Sequence, residues 1–185
     1  MTNGGELLRR RIEERTAKVA VVGMGYVGLP LAMEVVRAGF TVSGVDVDVS
    51  KVDGLNSGRS HVLDVSEETV QKARASGRFT AYSVYDVVGE ADCVSICVPT
   101  PLKKTRDPDI SFVTQAVAGV LPHLHHGMLL VLESTTYPGT TEELIRSEVE
   151  RSGLRVGEDV FVAFSPERVD PGNKVYNTRN TPKVL

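Results

Sequence analysis

Three glycines near the start of the 185-residue chain have the spacing of a turn that can hold a phosphate group. Gly23 would permit a tight turn, Gly25 would let the backbone approach a pyrophosphate, and Gly28 would let a helix pack closely on a strand. The backbone N–H groups of such a turn, those of Tyr26 and Val27 included, favour phosphate together with the helix dipole. The complete stretch is Gly23-Met24-Gly25-Tyr26-Val27-Gly28. Because this spacing also arises by chance, its meaning depends on a strand before it and a helix after it.

A carboxylate follows at the position that a dinucleotide-binding turn requires. Asp46 stands 18 residues beyond Gly28, near the separation of about 20 residues expected for the acid that accepts hydrogen bonds from the adenosine ribose. A carboxylate there would repel a 2′-phosphate, and no arginine follows at once. The pattern therefore favours NAD over NADP. Asp48 could share or take this role, but Asp46 is preferred because it lies at the tip of a predicted strand.

The hydrophobic pattern supplies the elements that must position the turn and the acid. A continuous apolar run at residues 19–22 predicts a strand buried on both faces, and residues 26–37 predict a helix that ends before Gly39. Further strands are predicted at 41–45, 78–82, 93–98, 128–133 and 160–164, and further helices at 51–56, 66–75, 111–121 and 139–152. This alternation predicts an α/β fold of the Rossmann type: a doubly wound, mostly parallel sheet with helices on both faces.

A charged amino-terminal segment precedes this pattern. Residues 1–16 are predicted to contain a short helix, with Leu8 and Ile12 spaced to dock on the domain and the arginines on a solvated face. Residues 17–185 are predicted to form the domain itself. The apparent strand beginning at Pro182 stops with the chain, so the remainder of a longer protein is expected to be absent.

Composition narrows the classes of partner and compartment. A net charge of −3, 24% charged residues and no tryptophan give no reason to expect binding to nucleic acid or to an anionic membrane. No segment approaches membrane-spanning length, and the amino terminus lacks a signal-peptide core, so a cytoplasmic location is predicted. Cys93 and Cys97 lie in an apolar run, on one face of a strand, and are predicted to be buried thiols and not metal ligands or nucleophiles.

Two clusters of titratable residues are predicted to be solvated connections. Three histidines lie between a predicted helix and strand, with no cysteine nearby and no acid at ligand spacing, so no metal site is expected. A short basic run after Pro101 fits a solvated loop. The two clusters are His123, His125 and His126, and Lys103, Lys104 and Arg106.

Hydroxyl and carboxyl groups lie just past the ends of later strands. Thr100, Thr135 and Glu167 follow three of the predicted strands, at the edge of the sheet along which a dinucleotide lies. The same residue types also serve in turns and caps. The residues alone leave the functional and the structural interpretation open.

Four segments of the chain, in order and in register, resemble the UDP-glucose/GDP-mannose dehydrogenase family. The Thr16-to-Ala32 stretch is similar to the opening of this family, and the helical lead-in before it and the later segments resemble the branch that acts on UDP-N-acetylglucosamine. The other segments are Cys97-Val98-Pro99-Thr100-Pro101-Leu102, Glu133-Ser134-Thr135-Thr136-Tyr137-Pro138-Gly139-Thr140-Thr141 and Phe164-Ser165-Pro166-Glu167-Arg168-Val169-Asp170-Pro171-Gly172-Asn173. They cover nearly the whole chain, which makes the resemblance specific.

The resemblance implies an NAD-dependent oxidation of a sugar C6 alcohol to a carboxylate in two steps, with two NAD and a covalent cysteine intermediate. By this resemblance Thr135 helps to position water, Glu167 performs acid–base work, and Thr100 and Thr135 border the cofactor. The family's nucleophilic cysteine and catalytic lysine belong to a second half with no counterpart in these residues. We therefore expect the chain alone to bind NAD without oxidising a sugar, and the complete enzyme to be a homodimer or larger.

The same resemblance bears on the sugar. Glu167, Arg168, Val169 and Asp170 would border the sugar nucleotide. UDP-glucose enzymes carry a Phe-Leu pair and then a second acid after the glutamate, where this chain has Arg168-Val169-Asp170-Pro171. This departure favours an N-acetylated sugar, with UDP-N-acetylglucosamine preferred and UDP-N-acetylmannosamine or UDP-glucose as alternatives. In that setting the product would serve polysaccharide biosynthesis. A stand-alone NAD-binding module and a methyltransferase are the alternatives from other classes.

Overall fold

A computed structural model describes residues 3–102, 108–167, 178, 180 and 181. Its centre is a sheet of six strands, and all five strand pairs are parallel. The strands lie in the order β3-β2-β1-β4-β5-β6, which is the order of a doubly wound dinucleotide-binding fold. The strands are β1 (Lys18–Val22), β2 (Thr41–Val45), β3 (Phe79–Tyr82), β4 (Cys93–Ile96), β5 (Leu129–Leu132) and β6 (Phe161–Phe164).

The helices connect these strands and cover the sheet. They are α1 (Asn3–Glu13), α2 (Gly28–Arg37), α3 (Val49–Asn56), α4 (Glu67–Ala75), α5 (Ser111–Val120) and α6 (Ser147–Arg151). Short 3₁₀ turns lie at Asp86–Glu90 and Leu121–His123. The helix predicted at 139–152 is instead a π-helical segment, Thr141–Arg146, that continues into α6. The predicted α/β class and sheet are confirmed.

Side chains of β1 and β2 enter two hydrophobic cores, one on each face of the sheet. In β1, Ala20 and Val22 face one core, whereas Val21 faces the other. The first core packs against α5 and α6, and the second against α2, α3 and α4. Burial on both faces explains why β1 reads as an uninterrupted apolar run.

Helix α1 packs where β5 and β6 begin, at the edge of the sheet opposite the glycine turn. Leu8 is buried and Ile12 is half-buried, beside a groove of about 470 Å³ that Phe161 also lines. The arginines Arg9, Arg10 and Arg11 are exposed, as predicted, and Arg11 also forms an ion pair with Asp92. Asp92 also accepts a hydrogen bond from the Lys18 N–H (2.8 Å) and so joins α1 to the start of β1.

The described residues contain no helix with the length and apolar character needed to span a bilayer. The basic run at 103–107 and the residues 168–177 lie outside the described part of the chain, as do residues 182–185 with the strand expected at Pro182.

Candidate dinucleotide-binding site

The carboxyl ends of the central strands converge on the glycine turn. The Gly23 N–H donates to the Val45 carbonyl (2.7 Å), and the Cys97 N–H donates to the Val22 carbonyl (2.7 Å). These two bonds continue the sheet ladder one residue beyond β1 and β4. The segments that leave β1, β2 and β4 therefore begin side by side at one edge of the sheet.

The structure explains the presence of glycine at the three positions of the turn in different ways. Gly23 has φ +94°, and a Cβ atom there would lie 2.7 Å from the Cys97 carbonyl oxygen. A Cβ at Gly28 would lie 1.8 Å from the Gly23 carbonyl oxygen, so the start of α2 packs directly on the turn. Among the described residues, no atom lies within 4 Å of a Cβ placed at Gly25. Packing thus explains Gly23 and Gly28, whereas the space over Gly25 is open for a ligand.

The turn also presents unused hydrogen-bond donors. The first bond of α2 runs from the Leu29 N–H to the Gly25 carbonyl (3.1 Å), and no side chain of a described residue caps the helix. Within the described ranges 3–102 and 108–167, no hydrogen-bond acceptor is found for the backbone N–H groups of residues 25–28. Four free N–H groups at the positive end of a ten-residue helix suit a pyrophosphate. Helix α2 begins at Gly28, later than the residue 26 expected.

Asp46 closes the turn from the end of β2. It is 8% exposed, and its carboxylate accepts hydrogen bonds from the Met24 N–H (2.8 Å) and the Asp48 N–H (3.0 Å). The Lys51 ammonium lies 3.5 Å from Asp46 Oδ2. A carboxylate beside the glycine turn is the arrangement expected of the ribose-binding acid.

Asp48, the alternative to Asp46, has a different role. Its side chain is the N-cap of α3 and accepts from the N–H groups of Ser50 (2.9 Å) and Lys51 (3.4 Å). The Ser50 hydroxyl bond (2.6 Å) is the main reason that the pKa of Asp48 is lowered. The two acids thus have separate roles: Asp48 caps helix α3, and Asp46 accepts hydrogen bonds from the glycine turn and from Asp48.

Sequence reasoning missed two residues at this site, Lys51 and His61. Lys51 lies in the first turn of α3, close enough in sequence to Asp46 for the contact to have been anticipated. The His61 imidazole contacts the Met24 carbonyl oxygen through Nε2 (2.7 Å). No sequence pattern marks His61, since it comes from the loop between α3 and α4.

The other predicted site residues lie beyond neighbouring strands on the same edge. Leu132 at the end of β5 pairs with Phe164 at the end of β6. Thr135 lies three residues after Leu132, and Glu167 lies three residues after Phe164. Thr135 is exposed, and Thr100 and Glu167 are half-buried. The Ser134 hydroxyl donates to the Val98 carbonyl (2.7 Å) and ties the exits of β4 and β5 together. The candidate substrate residues Arg168, Val169 and Asp170 lie outside the described residues.

Cys93 and the cluster of His123, His125 and His126 lie apart from this edge, whereas Cys97 packs beneath the glycine turn. Cys97 is buried and its sulfur contacts the Ser95 hydroxyl (3.5 Å). Within the described residues neither cysteine is in a disulfide. Burial, with a smaller effect from the Asp92 charge, raises the pKa of Cys93 to about 11, so this thiol is not activated as a nucleophile. His125 is not a purely solvated residue, because its Nε2 contacts the Ala91 carbonyl (3.0 Å). In the described ranges no group of three or more ligand side chains is arranged to hold a metal.

The parallel strand order, the glycine turn and its neighbouring carboxylate define a dinucleotide-binding Rossmann domain. A family model described as the UDP-glucose/GDP-mannose dehydrogenase family, NAD binding domain, matches residues 17–185. The chain belongs to this family, its cofactor is NAD, and it forms the NAD-binding domain.

Relatives and solved structures agree with this assignment. The chain is 35% identical over 167 residues to UDP-N-acetyl-D-mannosamine dehydrogenase of Pyrococcus horikoshii, covering 88% of this chain and 40% of that one. It is 37% identical over 168 residues to UDP-N-acetyl-D-glucosamine 6-dehydrogenase of Salmonella typhi, covering 90% and 39%. A ternary complex of GDP-mannose dehydrogenase from Pseudomonas aeruginosa superposes with a TM-score of 0.79 at 30% identity, covering 83% and 36%. The chain spans about two fifths of the length of the curated relatives.

Proposed function

We propose that this chain is the cofactor-binding part of a nucleotide-sugar 6-dehydrogenase that oxidises the C6 alcohol of UDP-N-acetylglucosamine to a carboxylate with two NAD. The observation that carries the proposal is the open, donor-rich glycine turn beside Asp46, within a chain whose relatives are dehydrogenases of this kind. A stand-alone NAD-binding module is not favoured, because the matched relatives are longer enzymes. We expect the acid product to serve polysaccharide biosynthesis.

Within this proposal each residue of the turn has a defined task toward NAD. When bound, NAD accepts the hydride that leaves C6 of the sugar. The free N–H groups of residues 25–28 donate to its pyrophosphate, and Asp46 accepts from the hydroxyls of its adenosine ribose. Thr100 and Thr135 border the cofactor past β4 and β5.

Thr135 and Glu167 are proposed to act on the reacting sugar carbon and its water. Their equal distance past the paired β5 and β6 supports this, since parallel neighbours lie about 4.8 Å apart and bring equivalent positions together. Thr135 would hold the attacking water with its hydroxyl, and the Glu167 carboxylate would take the water's proton. Glu167, Arg168, Val169 and Asp170 would border the sugar nucleotide.

The N-acetylated sugar is supported by the names of the relatives. Relatives that act on UDP-N-acetylmannosamine and on UDP-N-acetylglucosamine match with 35% and 37% identity. UDP-N-acetylmannosamine is therefore the second candidate substrate, since these identities do not separate the two epimers. We further propose that the complete enzyme is cytoplasmic and a homodimer or larger, as the family resemblance implies.

The test is NADH formation by the complete protein that contains these residues. UDP-N-acetylglucosamine, UDP-N-acetylmannosamine and UDP-glucose are supplied in separate reactions, and the product is analysed for a C6 carboxylate. We expect about two NADH per sugar and the highest kcat/KM with UDP-N-acetylglucosamine. Preference for the manno epimer would favour the second candidate. NAD binding without NADH formation from any of the three would contradict the proposed function.

A further inference from the structure

The peptide group between Met24 and Gly25 is held by side chains from two other parts of the chain. The Met24 N–H donates to Asp46 (2.8 Å), and the Met24 carbonyl accepts from His61 Nε2 (2.7 Å). The Met24 side chain is fully buried, and its sulfur would lie 2.6 Å from a Cβ placed at Gly44. Met24 is thus fixed at its N–H, its side chain and its carbonyl.

This fixation decides where the next N–H points. The described peptide bonds are trans, and in a trans peptide the carbonyl and the following N–H point in opposite directions. With the Met24 carbonyl directed to His61, the Gly25 N–H must point away from His61. No protein acceptor for this N–H is found in the described ranges, and a Cβ on Gly25 would also enter open space.

Glycine makes this orientation vulnerable. Gly25 has no Cβ, so rotation of the Met24–Gly25 peptide meets little steric resistance from Gly25 itself. A rotated peptide would turn the Met24 carbonyl oxygen toward the ligand and withdraw a donor. A carbonyl dipole facing a pyrophosphate is repulsive, whereas an N–H is attractive. The turn therefore needs a partner for the Met24 carbonyl, and the structure supplies His61.

We propose that His61 is a positioning residue that holds the Met24–Gly25 peptide with the Gly25 N–H toward the pyrophosphate of NAD. His61 is exposed, so burial of its ring does not account for its placement. Its loop is anchored by the buried side chains of Val62 and Val65. The ring must carry a proton on Nε2 because its partner is a carbonyl, which only accepts. The inference rests on NAD binding by the glycine turn.

The test compares three variants of the full 185-residue chain by calorimetric NAD titration and by denaturant unfolding. His61→Leu removes the donor, whereas His61→Gln keeps an N–H₂ group near the position of Nε2. His125→Leu is the matched control, because it removes an equivalent bond from Nε2 to a backbone carbonyl, that of Ala91 (3.0 Å), just before β4 begins. Adenosine, which lacks the pyrophosphate, is titrated by NMR as a second ligand.

We expect His61→Leu to raise the Kd for NAD about tenfold, the effect of losing one modest interaction. His61→Gln should stay within about threefold of the parent, and His125→Leu should lower stability without changing this Kd. Adenosine affinity should be the same in all forms. The Gly25 amide proton resonance should move downfield when NAD binds to the parent and to His61→Gln, and should not do so in His61→Leu.

Two results would overturn the role of His61. One is a parental Kd for NAD in His61→Leu, and the other is an equal loss of affinity for NAD and adenosine, which would indicate general distortion of the site. A parent chain that does not bind NAD at all would instead contradict the assignment of the turn, and so the two failures are distinguishable.

Discussion

Replacing Gly25 with alanine is expected to separate cofactor binding from folding. A Cβ at this position meets no atom of the described part of the chain within 4 Å, and the φ angle of Gly25 lies outside the left-handed region. The free protein should therefore accept the methyl group without strain. Its free energy of unfolding should be unchanged or higher by about 0.4–1 kcal/mol, because alanine restricts the unfolded chain.

The same methyl group should interfere with NAD. It would occupy the space that lets a pyrophosphate come within hydrogen-bond distance of the Gly25 N–H, where N···O is about 2.9 Å. Losing one hydrogen bond to a charged group costs about 1.5–3 kcal/mol, which corresponds to an increase in Kd of about 10- to 150-fold. Isothermal titration of the parent and Gly25→Ala with NAD measures this change.

Two further glycines supply matched controls. In Gly28→Ala the Cβ would lie 1.8 Å from the Gly23 carbonyl oxygen, which is backbone and cannot rotate away. Overpacking of this kind costs about 1–3 kcal/mol or more, so this variant should lose stability. Gly54 lies within α3, and no described residue has an atom within 4 Å of a Cβ placed there. Gly54→Ala should therefore gain up to about 1 kcal/mol of stability with unchanged NAD affinity. Parental NAD affinity in Gly25→Ala, or parental stability in Gly28→Ala, would refute the reasoning.

Three other outcomes follow from the site and the core. Asp46→Ala should weaken NAD binding by about 1–3 kcal/mol and also lower stability, because Asp46 holds the Met24 N–H; unchanged affinity in a titration would contradict its role. In the complete protein, Thr135→Ala and Glu167→Gln should lower kcat far more than NAD affinity, and stopped-flow measurements on Glu167→Gln should detect an accumulating covalent intermediate. With a pKa of about 11 when folded, against 9.0 ordinarily, Cys93 stays protonated while the unfolded chain ionises. Stability should therefore fall between these pH values. Cys93→Ala should lack that part of the fall, as urea unfolding at several pH values would show.

Regular elements follow closely from local pattern in this chain. The strand predicted at 41–45 is found as Thr41–Val45, and the helix predicted at 66–75 begins after its N-cap Ser66, which accepts from the Thr69 N–H. Burial on both faces makes the strands apolar, and caps mark the helix starts, so both signals are local. The π-helical segment at Thr141–Arg146 was not predictable, since its apolar spacing is compatible with an α-helix.

Contacts between distant side chains were not predictable in the same way. Arg11 and Asp92 are 81 residues apart, and His61 and Met24 are 37 residues apart. Each pair depends on the path of intervening loops, for which sequence periodicity carries no information. The glycines were recognisable because the backbone geometry of the turn demands them. His61 was not recognisable from the sequence, because many kinds of donor can form a hydrogen bond to a backbone carbonyl.

The contacts of Asp46 explain how one carboxylate can serve both the turn and cofactor choice. An ionised carboxylate has about four acceptor positions, and the Met24 and Asp48 N–H groups use one on each oxygen. The remaining positions can accept ribose hydroxyls, while the two backbone bonds prevent the side chain from rotating away. A 2′-phosphate would then face a fixed negative charge, with Lys51, 3.5 Å from Oδ2, as partial compensation. In the proposed role of Asp46, selectivity for NAD would follow from the same hydrogen bonds that shape the glycine turn.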